Sequence, residues 1–343
     1  MPLTSARIET AGPLEAMEVF LERGWTDGLP VVPPTPDRIE AALAAAGVEP
    51  GAVLGTIPER RRTVTAEKVA VNAVMAGCRP EYLPVVLAAV RAMLDPAFGL
   101  HGPAASTAGV APLVIVNGPY GRAIGVNAGR NVFGPGHRAN ATIGRAVRLV
   151  LHNVCGGVFD RGTLGHPGRY TYCIGEIEDG RFDPLHVERG FGRDESVVTV
   201  MAAEAPNQVS NHVSTTPEGI LATIADRMRA LGSANVGGRQ EMLVVLCPEH
   251  AATVAAAGWT KRQVREHLWR TAVRTRGELK AGGVLPPDAP GDDAEVVHAT
   301  PAPEDLLVVV AGGEAGRFSA VLPGWARKSD CRAVSVRIAV PER

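Results

Sequence analysis

The sequence predicts an α/β fold, with a mixed or mostly parallel sheet system flanked by helices and a division into two lobes, 1–205 and 206–343. Three observations predict it. Residues 112–116 (PLVIV), 242–247 (MLVVLC) and 306–311 (LLVVVA) are unbroken apolar runs of strand length, as expected of strands covered on both faces. Each run ends in a loop opened by Asn-Gly, proline or glycine, and between the runs apolar residues recur at helical spacing. At 343 residues with 45% apolar content, the chain can bury the core that such an arrangement needs.

Composition then removes whole classes of function. Lys plus Arg (35) nearly cancels Asp plus Glu (36), so there is no basic field of the kind that holds nucleic acid. No apolar run approaches the roughly 18 residues of a membrane span, and MPLTSARIETAGPLEAMEVF lacks a basic segment followed by an apolar core. A cytoplasmic protein without nucleic-acid or membrane partners is expected. The five cysteines (Cys78, Cys155, Cys173, Cys247 and Cys331) are odd in number and lack CxxC spacing, which argues against a disulfide framework and a zinc ribbon.

Along the chain, residues 13–24 read as a short helix stopped by Gly24. Residues 25–35 (WTDGLPVVPPT) read as a proline-pinned crossing, either a plain connector or a pocket rim carrying Trp25 and Asp27. Thr35 caps a helix over 38–46, and residues 65–94 are helical twice with a break at 77–80 (GCRP). Cys78 lies in that break beside Arg79, with Glu81 three residues on. A helix N-terminus and a cation both lower a thiol pKa, so a reactive thiolate competes here with a small buried residue in a helical corner.

The stretch 117–148 (NGPYGRAIGVNAGRNVFGPGHRANATIGRAVR) is a strand-end loop feeding a helix over 141–151, and it carries the clearest expectation of a ligand site. Asn117, Asn127, Asn140, Arg138 and Arg145 are its candidate substrate-binding residues. Residues 169–176 alternate as a strand that leads to Glu176 and Glu178 on one face. Strand 196–201, a polar loop at 207–216 with His212, and a helix capped by Thr216 follow.

The run 242–247 passes at once into Pro248-Glu249-His250 at a helix start, which makes Glu249 and His250 the acid–base candidates of the second half. In 260–269 (TKRQVREHLW) the charges read as a solvated face, including Lys261 and His267. Residues 282–304 read as loop, and the third run enters GGEAGR at 312–317, where Arg317 could seat an anion.

No dinucleotide fingerprint, P-loop, HExxH or GxSxG motif occurs. The segments 70–90 (AVNAVMAGCRPEYLPVVLAAV), 116–119 with 134–149, 247–268 (CPEHAATVAAAGWTKRQVREHL) and 308–325 (VVVAGGEAGRFSAVLPGW) resemble a bacterial family associated with UGSC-like (seleno)proteins. That resemblance covers most of the chain and implies thiol or selenol chemistry, with Cys78 and His250 functional. The Sec/Cys-Gly-Ser-Cys motif itself is absent.

Three functions follow as expectations. The first is an enzyme acting on a small anionic metabolite. In it Cys78 is a thiolate, Glu81, Glu249 or His250 moves protons, and Arg138, Arg145 and Arg317 orient a carboxylate or phosphate. The second is a metal-dependent lyase or hydrolase with carboxylate and histidine ligands such as His212 and His186, so the cofactor stays open between none and a transition metal. The third is a non-catalytic metabolite-binding or partner subunit. The Ala/Val-rich helices favour a homo-oligomer in all three.

Overall fold

The computed structural model describes residues 2–157, 162–233, 235–237, 239–325 and 331–341. The first part of the chain forms α1 (Pro13–Glu22), α2 (Pro36–Ala46), the hairpin β1 (Val53–Ile57) and β2 (Arg62–Thr65), α3 (Ala66–Met75), α4 (Leu83–Leu94) and α5 (His101–Ala105). Next come β3 (Ala111–Asn117), α6 (Pro119–Ala123), α7 (Arg138–Asn153), β4 (Cys173–Gly175), α8 (Leu185–Glu188), β5 (Val197–Ala203) and β6 (Asn207–Ser210). The last part supplies α9 (Pro217–Met228), β7 (Met242–Leu246), α10 (Pro248–Ala256), α11 (Lys261–Thr271), β8 (Val273–Thr275), α12 (Arg276–Ala281), β9 (Val296–His298), β10 (Leu306–Val310), β11 (Phe318–Pro323) and β12 (Val334–Arg337).

The fold is α/β with mixed sheets. Two four-stranded sheets, ordered β12-β5-β3-β4 and β10-β7-β11-β6, repeat one plan. In the first, β3 runs parallel to β4 and antiparallel to β5; in the second, β7 runs parallel to β10 and antiparallel to β11. The fourth strand of each sheet is exchanged. β6 follows β5 in the chain but pairs with β11, and β12 follows β11 but pairs with β5. The crossing is pinned by an antiparallel bridge between Ala203 and Gly324, with Glu204 N–H donating to Pro323 O and Trp325 N–H to Ala202 O, both at 2.9 Å. Residues 334–337 therefore belong to the sheet of the first half and 207–210 to that of the second.

Period-two geometry explains the layering. Leu113, Ile115, Ile174 and Met201 of the first sheet share one core with Leu243, Val245, Leu307 and Val309 of the second, so the sheets pack face to face. Val114, Val116, Val198 and Val200 point the other way, into a core with α2, α3, α4 and α7. Val244, Leu246, Val308 and Val310 do the same beneath α9, α10 and α11. The result is four layers, helix–sheet–sheet–helix, and burial on both faces is why the strands read as unbroken apolar runs. Among the described residues no helix is long and apolar enough to cross a membrane.

Two local readings need correction. The alternating stretch 169–176 gives only a three-residue strand, because Pro167–Arg169 forms a 3-10 turn and Cys173–Gly175 alone pairs with β3. Lys261 is buried rather than solvated: it begins α11, and its ammonium turns inward to a carboxylate supplied by the other half of the chain.

Candidate functional site

The carboxyl ends of β3, β4, β7 and β10 meet at one end of the molecule, where loops from both halves touch. Ile177 N–H donates to Val310 O at 2.7 Å, Gly312 N–H to Ala128 O at 2.8 Å, and the Arg181 guanidinium to Pro248 O at 3.1 Å. A cavity of about 250 Å³ opens there, lined in part by Gly118, Arg122, Glu176, Glu178 and Asp179. Its polar wall is acidic, not the anion cradle that the asparagines and arginines suggest.

Asn117, buried at the end of β3, ties the carboxylates of that wall together. Its Nδ2 donates to Glu176 Oε2 at 2.8 Å and to Glu178 Oε1 at 3.1 Å, while Gly118 N–H donates to Glu178 at 2.7 Å. Glu176 also accepts from Leu185 N–H and from Lys261 Nζ, each at 2.8 Å, and Arg122 closes on Glu178. These carboxylates are matched donor for donor, as buried charge requires.

The other residues expected to bind substrate are bound to the protein itself. Arg138 directs Nε and a terminal nitrogen to Gly77 O at 3.2 and 3.0 Å. Arg145 makes a bidentate pair with Asp27 at 2.8 and 2.7 Å, which places Asp27 inside a packed junction rather than at a pocket rim. Asn140 accepts from Asn127 N–H at 2.7 Å and donates to Asn127 O and Cys173 O, tying the loop to β4. Asn127 turns back on Gly129 N–H and Arg130 O. Arg317, in the left-handed region at φ 49°, holds His212 O and Ser214 O.

The reactive candidates fall into separate layers. Cys78 packs with the helical core outside the first sheet. Gly77 at φ 89°, with Gly77 N–H to Val74 O and Cys78 N–H to Ala73 O, makes a Schellman closure of α3. Cys78 therefore sits past the carbonyl end of α3, one residue ahead of Arg79, which caps the turn Pro80–Tyr82 leading into α4. Burial pushes its thiol up to about 12, against the opposing pull of the Thr142 side chain and Arg138. Glu81 projects to solvent with its side chain 45% exposed and Arg79 at 3.8 Å.

On the far side, outside the second sheet, His250 is wholly enclosed. Its Nε2 lies 3.0 Å from Asn211 O and so carries the proton, and its Nδ1 accepts from the Ser319 hydroxyl at 2.7 Å. Burial holds this histidine below its ordinary pKa, keeping it neutral. Glu249 accepts from Gly316 N–H and Arg317 N–H at 2.7 and 2.8 Å. Cys78 and the Glu249–His250 pair are thus on opposite outer faces of the stacked sheets, and the fold does not bring them together.

His186 is buried with Nε2 at 3.3 Å from Arg193 O, whereas His212 is exposed and edge-on to Phe318 at 4.9 Å. Among the described residues no three His, Cys, Asp or Glu side chains are grouped so as to hold a metal ion.

The larger hollows lie elsewhere, in the helical layer of the first half. A hollow of about 550 Å³ is lined by Arg60, Arg61, Arg62, Thr63, Lys68, Asn153 and Val154. The β1–β2 hairpin presents the arginines, with Arg61 in the left-handed region at φ 50°. Arg60 donates to Cys155 O at 2.8 Å and Arg62 to Asn153 O at 3.5 Å, so both lean on the carbonyl end of α7. Among the described residues no carboxylate pairs with any of these arginines or with Lys68. The sequence reading missed this group, although ERRR at 59–62 is a visible charge run. Compared with known families and curated proteins, the chain matches no family model and no curated sequence.

Proposed function

We propose that this chain is a binding protein for a small phosphate-bearing metabolite, held in the hollow formed by Arg60, Arg61, Arg62 and Lys68. The observation that carries this reading is the convergence of four cations on one concave surface with no carboxylate partner among the described residues. Guanidinium groups match phosphate oxygens in pairs, and four positive charges suit a doubly charged phosphate better than a singly charged carboxylate. The hollow keeps the anionic partner expected from the sequence and moves it from the glycine-rich loop to the first hairpin. The binding reading is favoured over a cysteine-dependent enzyme because Cys78 is a protonated thiol at neutral pH and lies a sheet stack away from His250.

Titration calorimetry with inorganic phosphate at low ionic strength tests this. Wild-type protein binds, and the exposed double substitution Arg61→Ala/Lys68→Ala weakens binding by about tenfold or more. Absence of binding at millimolar phosphate, or equal affinity in the double variant, would overturn the reading.

A further inference from the structure

The basic hollow adjoins a second space. It shares Lys68, Asn153 and Val154 with a cavity of about 680 Å³ beneath the N-terminal segment, within the ordinary range for metabolite sites. The two spaces differ in chemistry. Leu3, Ile8, Phe20, Ile39, Val71 and Met75 line the inner one, and its deeper polar groups are taken up by the protein. Glu67 accepts from Thr4 N–H, the Thr4 hydroxyl and Ser5 N–H at 2.7 to 3.0 Å. Asn72 donates to Lys68 O at 2.8 Å and accepts from Asn153 Nδ2 at 2.7 Å. Arg7 and Glu9 also border it, and the rest of such walls offers a ligand mainly hydrocarbon.

We infer that the bound phosphate carries an apolar tail, with the phosphate at Arg60–Arg62 and Lys68 and the tail running inward beneath residues 3–10; this rests on the phosphate-binding reading above. A free phosphate or sugar phosphate would leave the apolar chamber unused. A tailed phosphate fills both spaces in the order in which they adjoin. The roof is a built element, because the Glu67 carboxylate at the start of α3 ties it down from below.

The test is a series of soluble monoalkyl phosphates, ethyl, butyl, hexyl and octyl, titrated below their micellar concentrations alongside inorganic phosphate. Affinity rises by about fourfold for each methylene that enters the chamber. Ile8→Asp, a change in the exposed roof segment that leaves the helices intact, flattens the rise, and Val71→Trp, which fills the chamber, does so independently. Phosphate binding with no dependence on chain length would overturn the tail and leave the phosphate site standing, whereas no binding of any member would overturn both. A further arm uses vesicles of phosphatidylcholine with phosphatidic acid. Co-sedimentation with them, combined with a flat response to the soluble series, would mean that the arginines dock on a lipid surface, and would equally overturn the enclosed tail.

Discussion

Lys261 Nζ lies 2.8 Å from Glu176 Oε1, with the two side chains only 3% and 1% exposed. The pair joins the halves, since Glu176 follows β4 of the first sheet and Lys261 begins the helix α11 that covers the second. Glu188 approaches the same ammonium at 3.5 Å, so one buried cation serves two carboxylates. Removing one partner of a buried pair leaves the other charge stranded and costs about 3–5 kcal/mol, far more than the pair contributes net. Lys261→Met is therefore expected to lower the urea-unfolding free energy by that amount, and Glu176→Gln in the same chain to recover part of it. A Lys261→Met protein within about 1 kcal/mol of wild type would show that the carboxylates are neutralised some other way.

Gly144 sits inside α7, where alanine would ordinarily favour the helix. A Cβ there would meet Tyr172 N and Thr171 Oγ1, both at 2.4 Å, because α7 lies directly on the segment entering β4. The propensity gain is roughly 0.5–1 kcal/mol, while forcing a methyl group against backbone costs about 1–3 kcal/mol or more. The clash wins, so Gly144→Ala is expected to destabilise by about 2 kcal/mol in chemical denaturation. A stabilised variant would mean that α7 can shift away from the sheet.

The fold class was legible because sheets covered on both faces leave apolar runs that need no partner to be recognised. The strand exchange was not. β6 and β12 are four-residue strands of mixed burial, and what makes them edges of the opposite sheets is a crossing at Ala203 and Gly324 that no local pattern encodes. The same limit governs the site residues. Arg138 and Arg145 look like ligand arginines until the fold sets Gly77 O and Asp27, 61 and 118 residues away, against them. Lys261 looks solvated within its charged helix until Glu176, 85 residues distant, is placed beneath it. The Arg60–Arg62 run was visible as charge, but only the fold shows that it borders an apolar chamber.

His166 gives the acid side of the stability profile a defined shape. Burial, and then the neighbouring guanidinium groups of Arg169 and Arg148, push it down to about 4. The folded histidine stays neutral where the unfolded one takes up a proton, so the unfolded state binds more protons between about pH 6.5 and 4, and stability falls as pH drops through that window. In His166→Asn, urea midpoints measured across the same range are expected to fall less steeply than in wild type. Parallel slopes would place the acid sensitivity in other groups.

Cys78 supplies the sharpest discrimination between a binding protein and a thiol enzyme. Burial disfavours the anion and outweighs the Thr142 side chain and the Arg138 charge, leaving the thiol at about 12 against an ordinary 9.0. At any pH below 9 such a group holds about a thousandfold less thiolate than an unperturbed cysteine. Alkylation by iodoacetamide, mapped to Cys78 by mass spectrometry in the native protein, is therefore expected to be slow at neutral pH and to climb about tenfold per pH unit without levelling near 9. Arg138→Ala removes a charge that favours the thiolate and should slow labelling further at fixed pH. Rapid modification of Cys78 at neutral pH, with the other four cysteines untouched, would instead mean that the α3–α4 corner opens to expose a reactive thiolate. The enzyme reading would then regain its nucleophile.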